Sequence, residues 1–169
     1  MSCAYVYSSI ELKPNQHLRI SVRNALSDSE VRENVVFNPS EFVEQAEGAR
    51  EPPHHFTLKW EGSKKASILQ VLDEKEAASA LKKKKYKGEK PRPYSGDDNG
   101  EWVPFLAMEC RGLEPYVFHP MEDEFLITSE GGVKFDEGVE LGEGDWGDYD
   151  AENDAPVSLD GVEFKFEAV

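Results

Sequence analysis

A side chain whose type and neighbours could support nucleophilic chemistry is Cys110, which ends an apolar stretch and is followed directly by Arg111. A guanidinium beside a thiol lowers the thiol pKa and so favours the nucleophilic thiolate. A catalytic cysteine also needs a base, and His119 is the nearest candidate along the chain. Free cysteines are more often packing residues. We therefore predict no catalytic residue, and keep a Cys110-dependent enzyme as the less favoured alternative.

Two other patterns suggest metal ligands. His54 and His55 could join Cys3 and His17, but adjacent histidines point to opposite sides of an extended chain. The alternating carboxylates of Asp148–Asp154 resemble part of a calcium loop, yet the central Gly and the bidentate Glu at the twelfth position are missing. We predict no metal site and no cofactor, with metal handling through non-cysteine ligands as the alternative.

The net charge of −15 is unevenly distributed. Residues 1–113 hold 17 acidic and 17 basic side chains, whereas residues 114–169 hold 17 acidic side chains and two lysines. The last third should repel phosphate backbones, which makes nucleic acid an improbable ligand there, and it favours a basic protein partner. The alternative is a solvated surface that gives solubility. The basic run Lys82–Lys85, with Lys87, Lys90 and Arg92, is interpreted as a solvated helix end, although nucleic acid or acidic lipid could also bind it.

Short elements dominate the chain. The clearest predicted helix is Asp73–Lys85, which has acidic residues in its first turn and lysines in its last turn. Strands are predicted at Ala4–Leu12, Leu18–Val22, His55–Trp60, Ser67–Leu72, Trp102–Cys110, Phe125–Thr128, Val133–Phe135, Val139–Leu141 and Val162–Phe166. This pattern predicts a mostly-β fold, sandwich or barrel-like, with one or two short helices. We expect two small lobes, residues 1–88 and 89–169, in one compact unit with a pseudo-two-fold relation between them.

Length and composition set the cellular context. No apolar run approaches the roughly 20 residues that cross a bilayer, and the first residues lack the features of a signal peptide. Two cysteines cannot build a disulfide framework, so we expect a cytoplasmic and also nuclear location. A monomer is favoured.

Two motifs in the second half are the most specific. Glu109, Cys110, Arg111, Gly112, Leu113, Glu114 and Pro115 read ECRGLEP, and Asp145–Asp150 reads DWGDYD. Together with the P-Y opening at Pro93, they resemble the eukaryotic CXXC-motif-containing zinc-binding protein family, whose activity is not settled. Family members hold a structural zinc with two C-x-x-C pairs, and this chain contains no C-x-x-C.

The resemblance extends loosely into the first half and indicates where the zinc ligands would lie. Those four positions are occupied by Val22, Ala25, Lys59 and Gly62. None of these side chains is a soft anionic donor, so we expect that zinc does not bind. Apolar burial of residues such as Trp60, at roughly 1.5–3 kcal/mol for a large side chain, could replace the lost metal.

The resulting functional prediction is a non-catalytic binding or scaffold protein of unknown partner. The predicted interaction surface consists of Asp145, Trp146, Asp148, Tyr149 and Asp150. Within ECRGLEP, Arg111 should form ion pairs with Glu109 and Glu114, and Gly112 should supply a backbone angle that other residues avoid.

Overall fold

The computed structural model describes residues 7–81 and 90–168. These residues form twelve strands, one α-helix and a 3₁₀ turn at Gly96–Asp98. In chain order the elements are β1 (Tyr7–Leu12), β2 (Leu18–Asn24), β3 (Ser27–Phe37), β4 (Phe56–Leu58), β5 (Ser67–Val71), α1 (Glu74–Leu81), β6 (Tyr94–Ser95), β7 (Met108–Arg111), β8 (Leu113–Phe118), β9 (Phe125–Ser129), β10 (Lys134–Phe135), β11 (Trp146–Asp150) and β12 (Ala155–Leu159).

The strands pair into four small antiparallel sheets, which confirms the mostly-β prediction. Their strand orders are β10-β9-β1-β6, β11-β12, β3-β2-β8 and β4-β5-β7. Among the described residues none of these sheets closes into a barrel. No helix in the same part of the chain is long and apolar enough to span a membrane.

The chain divides into two compact units that interleave along the sequence. Unit 1 takes the described part of Met1–Pro14, with Pro91–Phe105 and Pro120–Phe164. Unit 2 takes the described parts of Asn15–Lys90 and Lys165–Val169, with Leu106–His119. Each unit therefore draws segments from both sides of residue 88, because β1 pairs with β9 and β2 pairs with β8.

Unit 1 is organised around β9, whose residues alternate between buried and half-buried positions. Phe125 and Ile127 on the buried side are fully excluded from solvent, and Ile10 of β1 lies opposite Ile127 in the sheet. The β11-β12 hairpin adds Val157 and Leu159 to the buried set. This period-two pattern is the one that a half-buried strand requires.

Unit 2 has its centre at β2, where Leu18, Ile20 and Val22 are all buried. Helix α1 begins with a reciprocal cap, because Asp73 Oδ1 accepts from the Glu76 amide at 2.8 Å and Glu76 Oε2 accepts from the Asp73 amide at 3.1 Å. Such a pair satisfies two backbone donors that the first helical turn leaves free. The predicted helix is confirmed up to Leu81; its continuation to Lys85 lies outside the described residues.

Several predicted strands are wrong. Only the end of Trp102–Cys110 pairs in a sheet, as β7, and Trp102 itself is 49% exposed. The segments Val139–Leu141 and Val162–Phe166 form no strand, although Val139 and Leu141 are buried. Apolar content alone cannot distinguish a strand from a packed loop over so few residues.

Candidate functional site

Strand β7 places Cys110 opposite Leu69 of β5, in the sheet of unit 2. Burial and the neighbouring carboxylates of Glu109 and Glu114 raise the pKa of Cys110 to about 12. Arg111 does not counter this, because its Nε and Nη2 atoms donate to Glu109 Oε1 at 3.0 and 2.7 Å. The lowered thiol pKa on which the enzyme alternative depends is therefore contradicted, while the predicted Arg111–Glu109 pair is confirmed.

His119, the predicted base, has a different partner. Its Nε2 atom lies 2.7 Å from Ser21 Oγ on β2. Glu114, in turn, pairs with Arg23 rather than with Arg111, at 3.0 Å. A nucleophile and a base at hydrogen-bond distance are the minimum for thiol catalysis, and Cys110 is instead a packed thiol of high pKa.

The carbonyl of Gly112 is a junction between the two turns where the resemblance locates the zinc ligands. Three donors converge on this oxygen: the amide of Ala25 at 3.4 Å, Trp60 Nε1 at 3.0 Å and Ser67 Oγ at 2.9 Å. Gly112 has φ +76, the left-handed backbone conformation that glycine adopts at little cost. The predicted special angle at Gly112 is confirmed, and we call this set of contacts the Gly112 junction.

Trp60 makes a second contact at the same junction. The guanidinium carbon of Arg32, on β3, lies 5.3 Å from the Trp60 ring centroid. Trp60 is only 3% exposed, so its indole links β3 to the β7-β8 turn through a cation–π contact and a hydrogen bond. The sequence predicted Trp60 as a buried residue but not the hydrogen bond that its Nε1 donates. The position of a Trp beside a tight turn could have indicated such a bond.

The four positions expected to hold cysteine differ in their environment. Val22 is completely buried in β2, and Gly62 has φ +72 in the turn that follows β4. Ala25 and Lys59 are exposed. The donor set for zinc is absent, so these residues do not fit the metal that the family name implies.

The two histidines thought capable of rebuilding a metal site are buried and already bonded. His54 Nδ1 lies 2.9 Å from the Pro52 carbonyl, and His55 Nδ1 accepts from the Val71 amide at 3.0 Å. Burial lowers the pKa of His55; the Glu76 carboxylate opposes this lowering, and His54 adds a smaller lowering of its own. In residues 7–81 and 90–168 no three His, Cys, Asp or Glu side chains are grouped so as to hold a metal ion.

The predicted interaction surface lies on strand β11 of unit 1 and on Asp145 just before it, and its residues have unequal roles. Trp146 donates from Nε1 to the Gly138 carbonyl at 3.0 Å and packs edge-on against Phe135. Asp145 accepts from the Gly161 amide at 2.8 Å. These contacts stabilise the hairpin. Asp148 and Tyr149 are exposed, so the structure leaves this part of the predicted surface open to solvent.

Asp150 is the buried member of the set, at 1% exposure. Its carboxylate accepts from Ser129 Oγ at 2.6 Å and from the amides of Glu152 and Asn153 at 3.1 and 3.0 Å. The Ser129 hydrogen bond is the main reason that the pKa of Asp150 lies below its ordinary value. Asp150 is thus a turn-forming residue of unit 1.

Comparison with known proteins defines the class of protein. The solved structure titled "Crystal Structure of C1orf123" superimposes over 94% of this chain and 89% of its own with a TM-score of 0.71, at 19% identity. A hypothetical protein from Plasmodium falciparum gives a TM-score of 0.67 over 96% of this chain and 97% of its own, at 22% identity. These likenesses establish a shared fold.

The family model of eukaryotic CXXC motif containing zinc binding proteins matches residues 8–167. The chain belongs to this family. The UPF0587 protein CG4646 of Drosophila melanogaster is 39% identical over 67 residues, which are 40% of each chain. The human CXXC motif containing zinc binding protein is 35% identical over 75 residues, 44% of this chain and 46% of its own. The matched segments thus span less than half the length of these curated relatives.

Proposed function

We propose that this protein is a non-catalytic binding or scaffold protein, without the zinc of its family, that captures a basic protein partner on its acidic unit. The observation that carries the proposal is the separation of charge between the units. The described residues of unit 1 hold 19 acidic and three basic side chains, a net charge of −16, whereas those of unit 2 hold 14 acidic and 11 basic side chains, a net charge of −3. A field of one sign attracts an oppositely charged partner over several ångströms and repels nucleic acid.

Two features support the non-catalytic and zinc-free parts of the proposal. The pKa of Cys110 near 12 disfavours thiol chemistry at neutral pH. The Gly112 junction provides hydrogen bonds between the turns that zinc would otherwise link. We further propose that the protein acts as a monomer in the cytoplasm, with access to the nucleus.

Metal content is tested first. Purified full-length protein is analysed for zinc by mass spectrometry after dialysis without chelator. We expect far less than one zinc per chain. One tightly held zinc per chain would overturn the zinc-free part of the proposal.

Partner capture is tested by affinity purification from cell extract at about 50, 150 and 500 mM salt, with and without chelator. We expect a partner that is lost at high salt and is insensitive to chelator, because surface electrostatics are screened within about 10 Å at 0.1 M ionic strength. A triple variant, Glu140→Lys, Glu143→Lys and Asp148→Lys, reverses exposed charges of unit 1 and should lose the partner.

The matched control reverses three exposed charges of unit 2 and changes the net charge by the same amount. It carries Glu44→Lys, Glu47→Lys and Glu51→Lys. Binding should persist in this variant. Equal loss of partner binding in both triple variants would show that binding depends on the net charge of the whole protein and not on unit 1. Binding that does not change with salt concentration would also contradict the proposal.

A further inference from the structure

Unit 1 contains an apolar cleft whose lining residues belong to neither strand of the β11-β12 hairpin. Three phenylalanines form one wall: Phe105, Phe125 and Phe164, with ring centroids 5.7–6.5 Å apart. Phe125 is fully buried, whereas Trp102, which also lines the cleft, is 49% exposed. A half-exposed Trp beside a phenylalanine wall is the residue type that anchors protein interfaces.

The volume of the cleft restricts what can occupy it. It measures about 70 Å³, well below the roughly 300–1,000 Å³ of a pocket that holds a drug-sized ligand or cofactor. It exceeds the 10–15 Å³ that one water needs, but an apolar cavity offers water few hydrogen-bond partners. A single aliphatic side chain fits both the size and the chemistry.

Charge indicates what surrounds that side chain. Glu101 and Glu163 are exposed and line the cleft. Two of the three basic side chains in unit 1 already have acceptors: Arg92 donates to Asp98 at 2.6 and 2.7 Å, and Lys13 donates to the Asp136 carbonyl at 2.5 Å. An apolar cleft with acidic residues at its edge, in a unit of net charge −16, complements an apolar residue flanked by Lys or Arg.

We propose that this cleft binds one aliphatic side chain of a basic peptide segment, with Phe105, Phe164 and Trp102 holding the side chain and Glu101 and Glu163 contacting the flanking cations. This inference rests on the proposed function and names the chemistry of the partner. Charge steers the segment to unit 1, and the cleft then selects the residue type.

Three synthetic peptides test the proposal with the full-length protein. The first is built from Lys and Gly with one central Leu, the second has Ser in place of Leu, and the third keeps Leu but replaces every Lys by Gln. We expect the Leu–Lys peptide to bind about tenfold more tightly than the Ser–Lys peptide, from partial burial of one Leu. The Leu–Gln peptide should bind weakly, and salt should weaken both lysine peptides.

Variants locate the binding site. Glu101→Lys with Glu163→Lys should weaken the Leu–Lys peptide more than Glu140→Lys with Glu143→Lys, which makes the same charge change elsewhere on unit 1. The Leu–Lys peptide should also change the tryptophan emission, and Trp102→Phe should both remove that change and weaken binding as measured by calorimetry, because Trp102 lines the cleft. Circular dichroism confirms that each variant is folded.

The possible results separate the two proposals. Equal affinity for the Leu–Lys and Ser–Lys peptides would overturn the cleft and leave the acidic unit as the binding surface. Absence of salt-sensitive binding by either lysine peptide would overturn the proposed function itself. A dimer that forms with rising concentration and excludes the peptide, seen by sedimentation, would assign the cleft to a second copy and also overturn this inference.

Discussion

Replacing Trp60 by Phe tests whether the Gly112 junction stabilises unit 2 without metal. The substitution removes the Nε1 hydrogen bond to Gly112, worth about 1 kcal/mol, while Ala25 and Ser67 continue to satisfy the carbonyl. It also weakens the contact with Arg32 by about 0.5 kcal/mol and removes apolar area worth about 1 kcal/mol. We expect the free energy of unfolding to fall by about 2–3 kcal/mol.

The assay is urea unfolding followed by circular dichroism, with and without chelator. A loss of that size is a large share of the 5–15 kcal/mol typical of a domain, and should lower the Tm by about 4–12 °C. Trp102→Phe is the control, since this side chain is half exposed and should change stability by less than about 0.5 kcal/mol. Unchanged stability in Trp60→Phe, or a large drop in the original protein when chelator is added, would refute the reasoning.

Three further predictions concern unit 2. Gly112→Ala should lower the free energy of unfolding by about 1–3 kcal/mol, because φ is +76 and the new Cβ would lie 2.5 Å from Ser67 Oγ. The loss should be smaller in a Ser67→Ala background. Urea unfolding of the original protein, the two single variants and the double variant would show this. In a Cys3→Ser protein, Cys110 should react with iodoacetamide at neutral pH about 1,000-fold more slowly than an ordinary thiol, because its pKa lies near 12 and not near 9. Burial lowers the pKa of His55, so the unfolded state binds more protons than the folded state. The contribution of His55 to the free energy of unfolding should therefore be complete above about pH 6.5 and fall as the pH decreases through that value. His55→Asn should reduce this fall, as unfolding measured at several pH values would show.

Each of these predictions has an outcome that would contradict it. An equal cost of Gly112→Ala in both backgrounds would assign the whole effect to backbone strain and none to Ser67. Fast alkylation of folded protein would show an exposed thiolate at Cys110. A stability profile of His55→Asn that parallels the original between pH 7 and 5 would assign the pH dependence to other groups.

The sequence predicted those elements in which local pattern and tertiary role agree. The predicted strands His55–Trp60 and Ser67–Leu72 do pair as a hairpin, because alternating apolar residues on both sides of a turn specify pairing locally. Strand β3 was missed: it is 11 residues long, mostly exposed and rich in charge, so only its pairing with β2 reveals it. Pairings such as β1 with β9 depend on long-range packing, which residue spacing does not encode.

The candidate site shows the same limit. The ECRGLEP motif predicted a backbone angle at Gly112 and an Arg111–Glu109 pair, which are contacts between near neighbours. It could not show the high pKa of Cys110, because that pKa depends on burial and on two carboxylates that outweigh an adjacent arginine already paired with Glu109. The DWGDYD motif likewise could not show that Asp150 is buried, since that depends on Ser129, 21 positions away.

The interleaving of the two units has a consequence for synthesis on the ribosome. Leu12 of β1 pairs with Phe125 of β9, 113 positions further along the chain. At about 5–20 residues per second, β1 must wait roughly 6–23 s for this partner. During that time β1, which carries the apolar Ile10 and Leu12, has an unpaired edge, which favours aggregation or chaperone binding. Moving residues 1–14 to follow residue 168 in a circular permutant should shorten the wait and raise the yield of folded protein.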